Sequence, residues 1–287
     1  MFKFFARIFG YALNFIYGII NNYGLAIIIF TVLLRIILLP MNLKQQKTMK
    51  KSAKLQVKMK EIQQKYSNDQ MRYAEEVKNL YAQEHMSPFS GCLSSILQII
   101  IVISMFMLVS NPLTYMKQLS SEKINDYTKQ IKQENNGENV NYLEIAIIRS
   151  LGSKDNDVNL NMNFLGLDLS DIPSKNYSDP KVFIIPILYV TTSIVSMKLT
   201  TSVSEKNKKD NVIEAKKEEE KIVKVDNSEE ENAMESMSKS MRYMMPIMTV
   251  SIALIAPLGL ALYWFVSNLL MILERLFVNK FMKEEEA

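Results

Sequence analysis

Arg35 lies inside an apolar run, Tyr23 to Leu39, that carries no other charge. Thr31 stands one helical turn before it, so a helix through this run puts both side chains on one face. A guanidinium held at mid-bilayer depth costs about 2.5 to 3.5 kcal/mol on insertion scales. It cannot escape by losing its proton, which leaves an anionic partner, a reach to the interface, or a wet cavity as compensation. A second pair, Ser94 and Gln98, sits one turn apart in the apolar run Cys92 to Val109. A glutamine at that depth requires a partner, and two readings stand side by side: a hydrogen bond between packed helices, or a group lining a hydrated cavity. The chemistry in both cases is recognition by charge and hydrogen bonding. Other chemistries find no support. Cys92 is the only cysteine and cannot close an internal disulfide, and His85, the only histidine, has no neighbour at metal-ligand spacing. No glycine-rich phosphate loop is present. The chain is therefore not read as an enzyme, and no catalytic residue, metal or cofactor is expected.

These side chains need elements to hold them. A mean hydropathy of -0.00 over 287 residues averages very apolar blocks with very charged ones. Apolar runs of spanning length predict transmembrane helices at 22–40, 91–110, 181–200, 241–256 and 258–279. The expected fold is an all-α integral membrane protein with a five-helix core. Residues 1–21 place Phe2, Phe5, Phe9, Leu13 and Ile16 on one helical stripe, which predicts an amphipathic helix lying in the interface. No small-x-small cleavage site precedes Asn21, so this segment is expected to persist.

Pro40 marks an interruption, and residues 41–88 then carry ten basic side chains against five acidic ones. The positive-inside rule puts this loop in the cytoplasm and the N-terminal segment outside. Leu55, Met59, Ile62 and Tyr66, a turn at Ser67-Asn68-Asp69, then Tyr73, Val77, Leu80 and Tyr81 predict an antiparallel helical hairpin. Its charges read as a solvated face or as a docking surface for anionic lipid heads, ribosomal RNA or a targeting factor. Residues 111–180 form the outer region, with turns and two short amphipathic pieces. Tyr189, Thr192, Ser193 and Ser196 share a face of the third span and suit either close packing or a polar lining. The Lys- and Glu-rich stretch 201–240 cannot bury a core and reads as a disordered cytoplasmic linker. Residues 257–259 allow only a tight hairpin, which leaves the tail 280–287 in the cytoplasm.

Several strings in this order resemble the YidC/Oxa/Alb family of membrane protein insertases. They are Asn22-Tyr23-Gly24-Leu25-Ala26-Ile27 leading to Thr31 and Arg35, then Leu39-Pro40-Met41 with Lys44-Gln45, and Leu55-Gln56 before Glu61-Ile62-Gln63. Gly91-Cys92-Leu93 with Gln98, and Asn163 to Leu169, continue the likeness, and Pro257-Leu258-Gly259-Leu260-Ala261-Leu262-Tyr263-Trp264-Phe265-Val266-Ser267-Asn268 is its most specific part. The chain departs from the family at Val57 and Ser94, where proline is usual. The likeness covers most of the chain and is to Gram-positive-like bacterial members without a large periplasmic domain.

That resemblance implies a groove open to the cytoplasm and to lipid, closed toward the outside, with Arg35, Thr31, Gln98, Ser94, Tyr263, Trp264 and Ser267 around it. It implies a membrane insertase and chaperone of the bacterial plasma membrane, in which Arg35 attracts the acidic outer tails of clients that are then released sideways into lipid. Expected partners are nascent membrane proteins with one or two spans, the Sec translocon, ribosome and signal recognition particle components, and anionic lipids, but not DNA. The rival reading is a small-anion transporter using Arg35 as its substrate site. An odd number of spans, no repeat between halves and a basic hairpin weigh against it.

Overall fold

Asn22 opens the helix that carries Arg35: its side-chain oxygen accepts the Leu25 amide at 3.0 Å and caps α2 (Tyr23–Lys65). The computed structural model describes residues 1–67, 69–87, 90–134, 141–199, 244 and 247–285, without the side chains of 46, 49, 50, 53, 54, 56, 57, 60, 90–95, 134 and 278–285. The linker expected at 201–240 and the first residues of the span expected at 241–256 lie outside this description. Pro40, expected to interrupt the first span, lies inside α2. An internal proline removes one amide donor and costs about 3 kcal/mol, yet Met41, Leu43, Lys44 and Gln45 are strong helix formers and carry the helix on.

The chain divides into two compact units, Met1–Ile37 with Ile99–Ser196 and Ser240–Ala287, and Leu38–Gln98 with Met197–Lys239. In the second unit the end of α2 is followed by α3 (Gln70–Gln83), and the turn expected at Ser67 to Asp69 includes Asn68, which lies outside the described residues. Asp69 caps α3 by accepting the Arg72 amide at 3.0 Å. Lys58 Nζ donates to Glu84 Oε1 at 2.7 Å, which ties the end of α3 to the body of α2, and Leu55 and Leu80 are buried. α2 and α3 thus meet through the pair of Lys58 and Glu84. The start of α4 (Ser90–Ser110) also belongs to this unit.

The first unit holds α1 (Phe2–Ile20), the start of α2, the rest of α4, and then α5 (Pro112–Tyr115), α6 (Ser121–Glu134) and α7 (Leu143–Leu151). A two-strand antiparallel ribbon, β1 (Asn163–Phe164) with β2 (Leu167–Asp168), interrupts the expected all-helical pattern. After it come α8 (184–199), α9 (247–255) and α10 (Leu258–Glu285). Among the described residues three helices are long and apolar enough to cross a membrane, Tyr23–Gln45, Pro180–Leu199 and Leu258–Phe277, and α4 contributes the shorter apolar stretch Ile96–Ser110.

The segment after α7 sews the starts of two of these helices together. Tyr23 donates its amide to the Asn161 carbonyl at 3.0 Å, and Asn22 Nδ2 donates to the Asn163 carbonyl at 2.7 Å. Leu258 and Gly259 donate theirs to the carbonyls of Asp171 and Leu169 at 2.8 and 2.9 Å, which satisfies first-turn donors of α10 that have no partner within the helix. Arg149 on α7 pairs with Asp171 at 2.7 Å.

The later part of the stripe expected on α1 turns inward, while Phe2 stays exposed. Leu13 and Ile16 are buried in the protein core, and Phe9 meets Phe30 of α2 with ring centroids 5.7 Å apart. Phe4, Ile8, Tyr11, Phe15 and Ile19 form a second apolar stripe that faces away from the protein. The helix is apolar on two faces, and periodicity alone does not say which of them packs.

Candidate functional site

Arg35 lies about 18 Å along α2 from Tyr23 at 1.5 Å per residue. Beside it is the middle of α10, because α2 and α10 begin at the same stitched end and run parallel. The Arg35 Nη2 group donates to Ser267 Oγ at 2.8 Å and to the Ser267 carbonyl at 3.2 Å. Its Nη1 group faces Glu274 Oε2 at 3.9 Å, and the two side chains are 16% and 10% exposed. The compensation demanded by the sequence is therefore divided between two acceptors on one serine and a carboxylate two turns further along α10. The carboxylate contact is beyond hydrogen-bond length. At an effective dielectric near 20, opposite charges about 4 Å apart attract by about 4 kcal/mol before desolvation is counted.

Tyr263 is buried one turn before Ser267 and is close enough to interact with that serine and with the Arg35 charge. Trp264 turns toward α8, where its ring lies 5.3 Å from that of Tyr189. The same face of α8 meets α10 twice more: Asn268 Nδ2 donates to Ser193 Oγ at 2.7 Å, and Arg275 Nη1 reaches the Ser196 carbonyl at 3.5 Å. Residues 189, 193 and 196 thus pair in rising order with 264, 268 and 275, which makes α8 and α10 parallel. Ser193 bonds across to α10 through its hydroxyl, while Ser196 contributes its backbone carbonyl.

Of the seven side chains expected around a groove, Arg35, Ser267 and Tyr263 come together. Trp264 is on the α8 side of the same helix. Thr31 is buried and donates to the Ile27 carbonyl at 2.6 Å, so its hydroxyl proton is used within its own helix. Gln98 belongs to the second unit, and the Ser94 side chain lies outside the described residues. Glu274 and Arg275 are the members that reading by type and spacing missed. The signal for them was available, since ionisable groups inside an apolar span of α10 raise the same desolvation question as Arg35.

The model of the family described as 60Kd inner membrane protein matches residues 15–285. A protein of Treponema denticola named membrane protein insertase YidC is 26% identical over 278 residues, which is 97% of this chain and 38% of that one. The protein of the same name from Fusobacterium nucleatum is 26% identical over 261 residues, 91% of this chain and 88% of that one. A third, from Caldanaerobacter subterraneus, is 40% identical over 101 residues, 35% of this chain and 49% of its own. The chain thus spans well under half of the Treponema relative and most of the Fusobacterium one.

Proposed function

The chain belongs to the 60Kd inner membrane protein family, the YidC/Oxa family, and from that premise we propose that it is a membrane protein insertase and chaperone of a bacterial cell membrane. Arg35 is the working cation of a groove that faces the cytoplasm and lipid. The short acidic outer tail of a client pauses against the guanidinium, and this shortens the dry distance it has left to cross. The client's apolar span then moves sideways into the bilayer, gaining roughly 25 cal/mol per Å² of apolar surface removed from water. An outside-positive potential adds about 2.3 kcal/mol per negative charge per 100 mV. Tyr263 and Ser267 on α10 line the path beside Arg35, while the ribbon at 163–168 closes its outer end. The N-terminal helix lies outside and the C-terminus in the cytoplasm, where the α2–α3 hairpin meets anionic lipid, the ribosome or a targeting factor, with the Sec translocon as a further partner.

One observation carries this reading: the Arg35 guanidinium keeps 16% of its side chain exposed, bonded to a serine and held 3.9 Å from its carboxylate. It is anchored without being locked. The test uses purified full-length chain in liposomes with single-span clients that differ only in having an acidic or a neutral outer tail. Wild type inserts both. Arg35→Ala lowers insertion of the acidic-tailed client about tenfold more than that of the neutral one, and Arg35→Lys retains more activity than Arg35→Ala. Equal loss for both clients assigns Arg35 to holding the bundle together, and anion flux without insertion assigns it to transport.

A further inference from the structure

The guanidinium that is to receive a client's carboxylate already has one of its own beside it. Glu274 Oε2 lies 3.9 Å from Arg35 Nη1, and Arg275 is close enough to feel the charges of both. We infer that Glu274 is a resident competitor for Arg35, an internal stand-in for the client's acidic tail that sets how tightly such a tail is held. This inference rests on the insertase reading and adds the residue that tunes client affinity.

Arg35 and Arg275 are both within reach of the Glu274 charge, so a client's carboxylate meets a cation already shared with a resident carboxylate. Its geometry supplies a route for exchange. Arg35 stays anchored to Ser267 through Nη2 while Nη1, the arm turned to Glu274, changes partner. Glu274 is next to Arg275 in the chain, so when a client takes Nη1 the displaced carboxylate remains beside a cation rather than stranded in a low-dielectric interior. Arg275 is itself held by its contact with the Ser196 carbonyl on α8 at 3.5 Å. An ion pair at 3.9 Å without a hydrogen bond between its partners is also the kind that can be displaced, whereas a bidentate Arg–carboxylate fork would bar the client. Glu274 is thus a positioning residue: it acts on the client through Arg35.

Binding in lipid nanodiscs tests this with two synthetic single-span peptides, one with three aspartates in its outer tail and one with three asparagines. Glu274→Gln tightens Kd for the aspartate peptide by about threefold to tenfold and leaves that of the asparagine peptide unchanged within about twofold. The gain disappears in an Arg35→Gln background, and Glu274→Asp restores the wild-type values. A Glu274→Gln variant that binds both peptides alike, or binds the aspartate peptide no more tightly than wild type, overturns the inference. Failure of the wild-type chain to insert clients in liposomes removes the insertase reading itself, a result independent of these affinities.

Discussion

Glu144 on α7 is buried and accepts two hydrogen bonds from Thr114, from the amide at 2.9 Å and the hydroxyl at 2.5 Å. Those bonds hold the ionised form, but burial outweighs them and raises the carboxyl above its ordinary value. A raised acid binds its proton more readily in the folded state than in the unfolded one. Its contribution to stability is therefore complete below the ordinary carboxylate value and is lost as pH rises through the raised value. The measurement is the difference in thermal midpoint between wild type and Glu144→Gln from pH 4 to pH 8, which cancels groups common to both. Wild type loses ground to Glu144→Gln as pH rises, and a difference that does not change with pH refutes the assignment. At this scale Arg35 could be named from the sequence because its cost is a property of one residue in one apolar run. Glu274 could not be named as its partner, because that pairing exists only once α2 and α10 are known to run parallel.

At the scale of elements, two glycines of α1 report which side of that helix packs. A Cβ on Gly10 lands 1.9 Å from the Tyr115 carbonyl oxygen, a backbone atom at the end of α5, while nothing lies within 4 Å of one on Gly18. Gly10→Ala should therefore lower stability by about 1 to 3 kcal/mol through overpacking. Gly18→Ala should raise it by about 0.5 to 1 kcal/mol by restricting the unfolded chain. Denaturant titration of the two variants checks this, and equal effects would mean that α1 does not pack through the Gly10 face. The turn between β1 and β2 gives a third case. Leu165 has a φ of 52° and is followed by Gly166 at 79°, a left-handed pair that asparagine and glycine fill without strain. Leu165→Asn should raise the thermal midpoint by the equivalent of about 1 kcal/mol, and a lower midpoint would show that the leucine is retained for its contacts. Helical periodicity and the basic charge that follows Pro40 were legible because period and charge are local properties. The inner face of α1 and the passage of α2 through Pro40 were not: the first depends on what packs against a helix that is apolar on two sides, the second on the strength of the flanking helix formers.

At the scale of the whole molecule, α2 and α10 run parallel from a stitched end at residues 161–171, and α8 runs parallel to α10. That arrangement puts the Arg35, Ser267 and Glu274 cluster well below the stitches, separated from them by the buried side chains of Tyr23, Ala26, Ile27 and Phe30 on α2 and Leu258, Leu260, Ala261 and Leu262 on α10. In the proposed groove, water reaches the cation from the cytoplasmic side only. The direct measurement places a cysteine there, Arg35→Cys with Cys92→Ser, in sealed vesicles of known orientation and follows its modification by a membrane-impermeant thiol reagent added to each side in turn. The account predicts rapid modification from the cytoplasmic side and protection from the outer side. A cysteine protected from both sides would mean a dry, structural arginine and would contradict it.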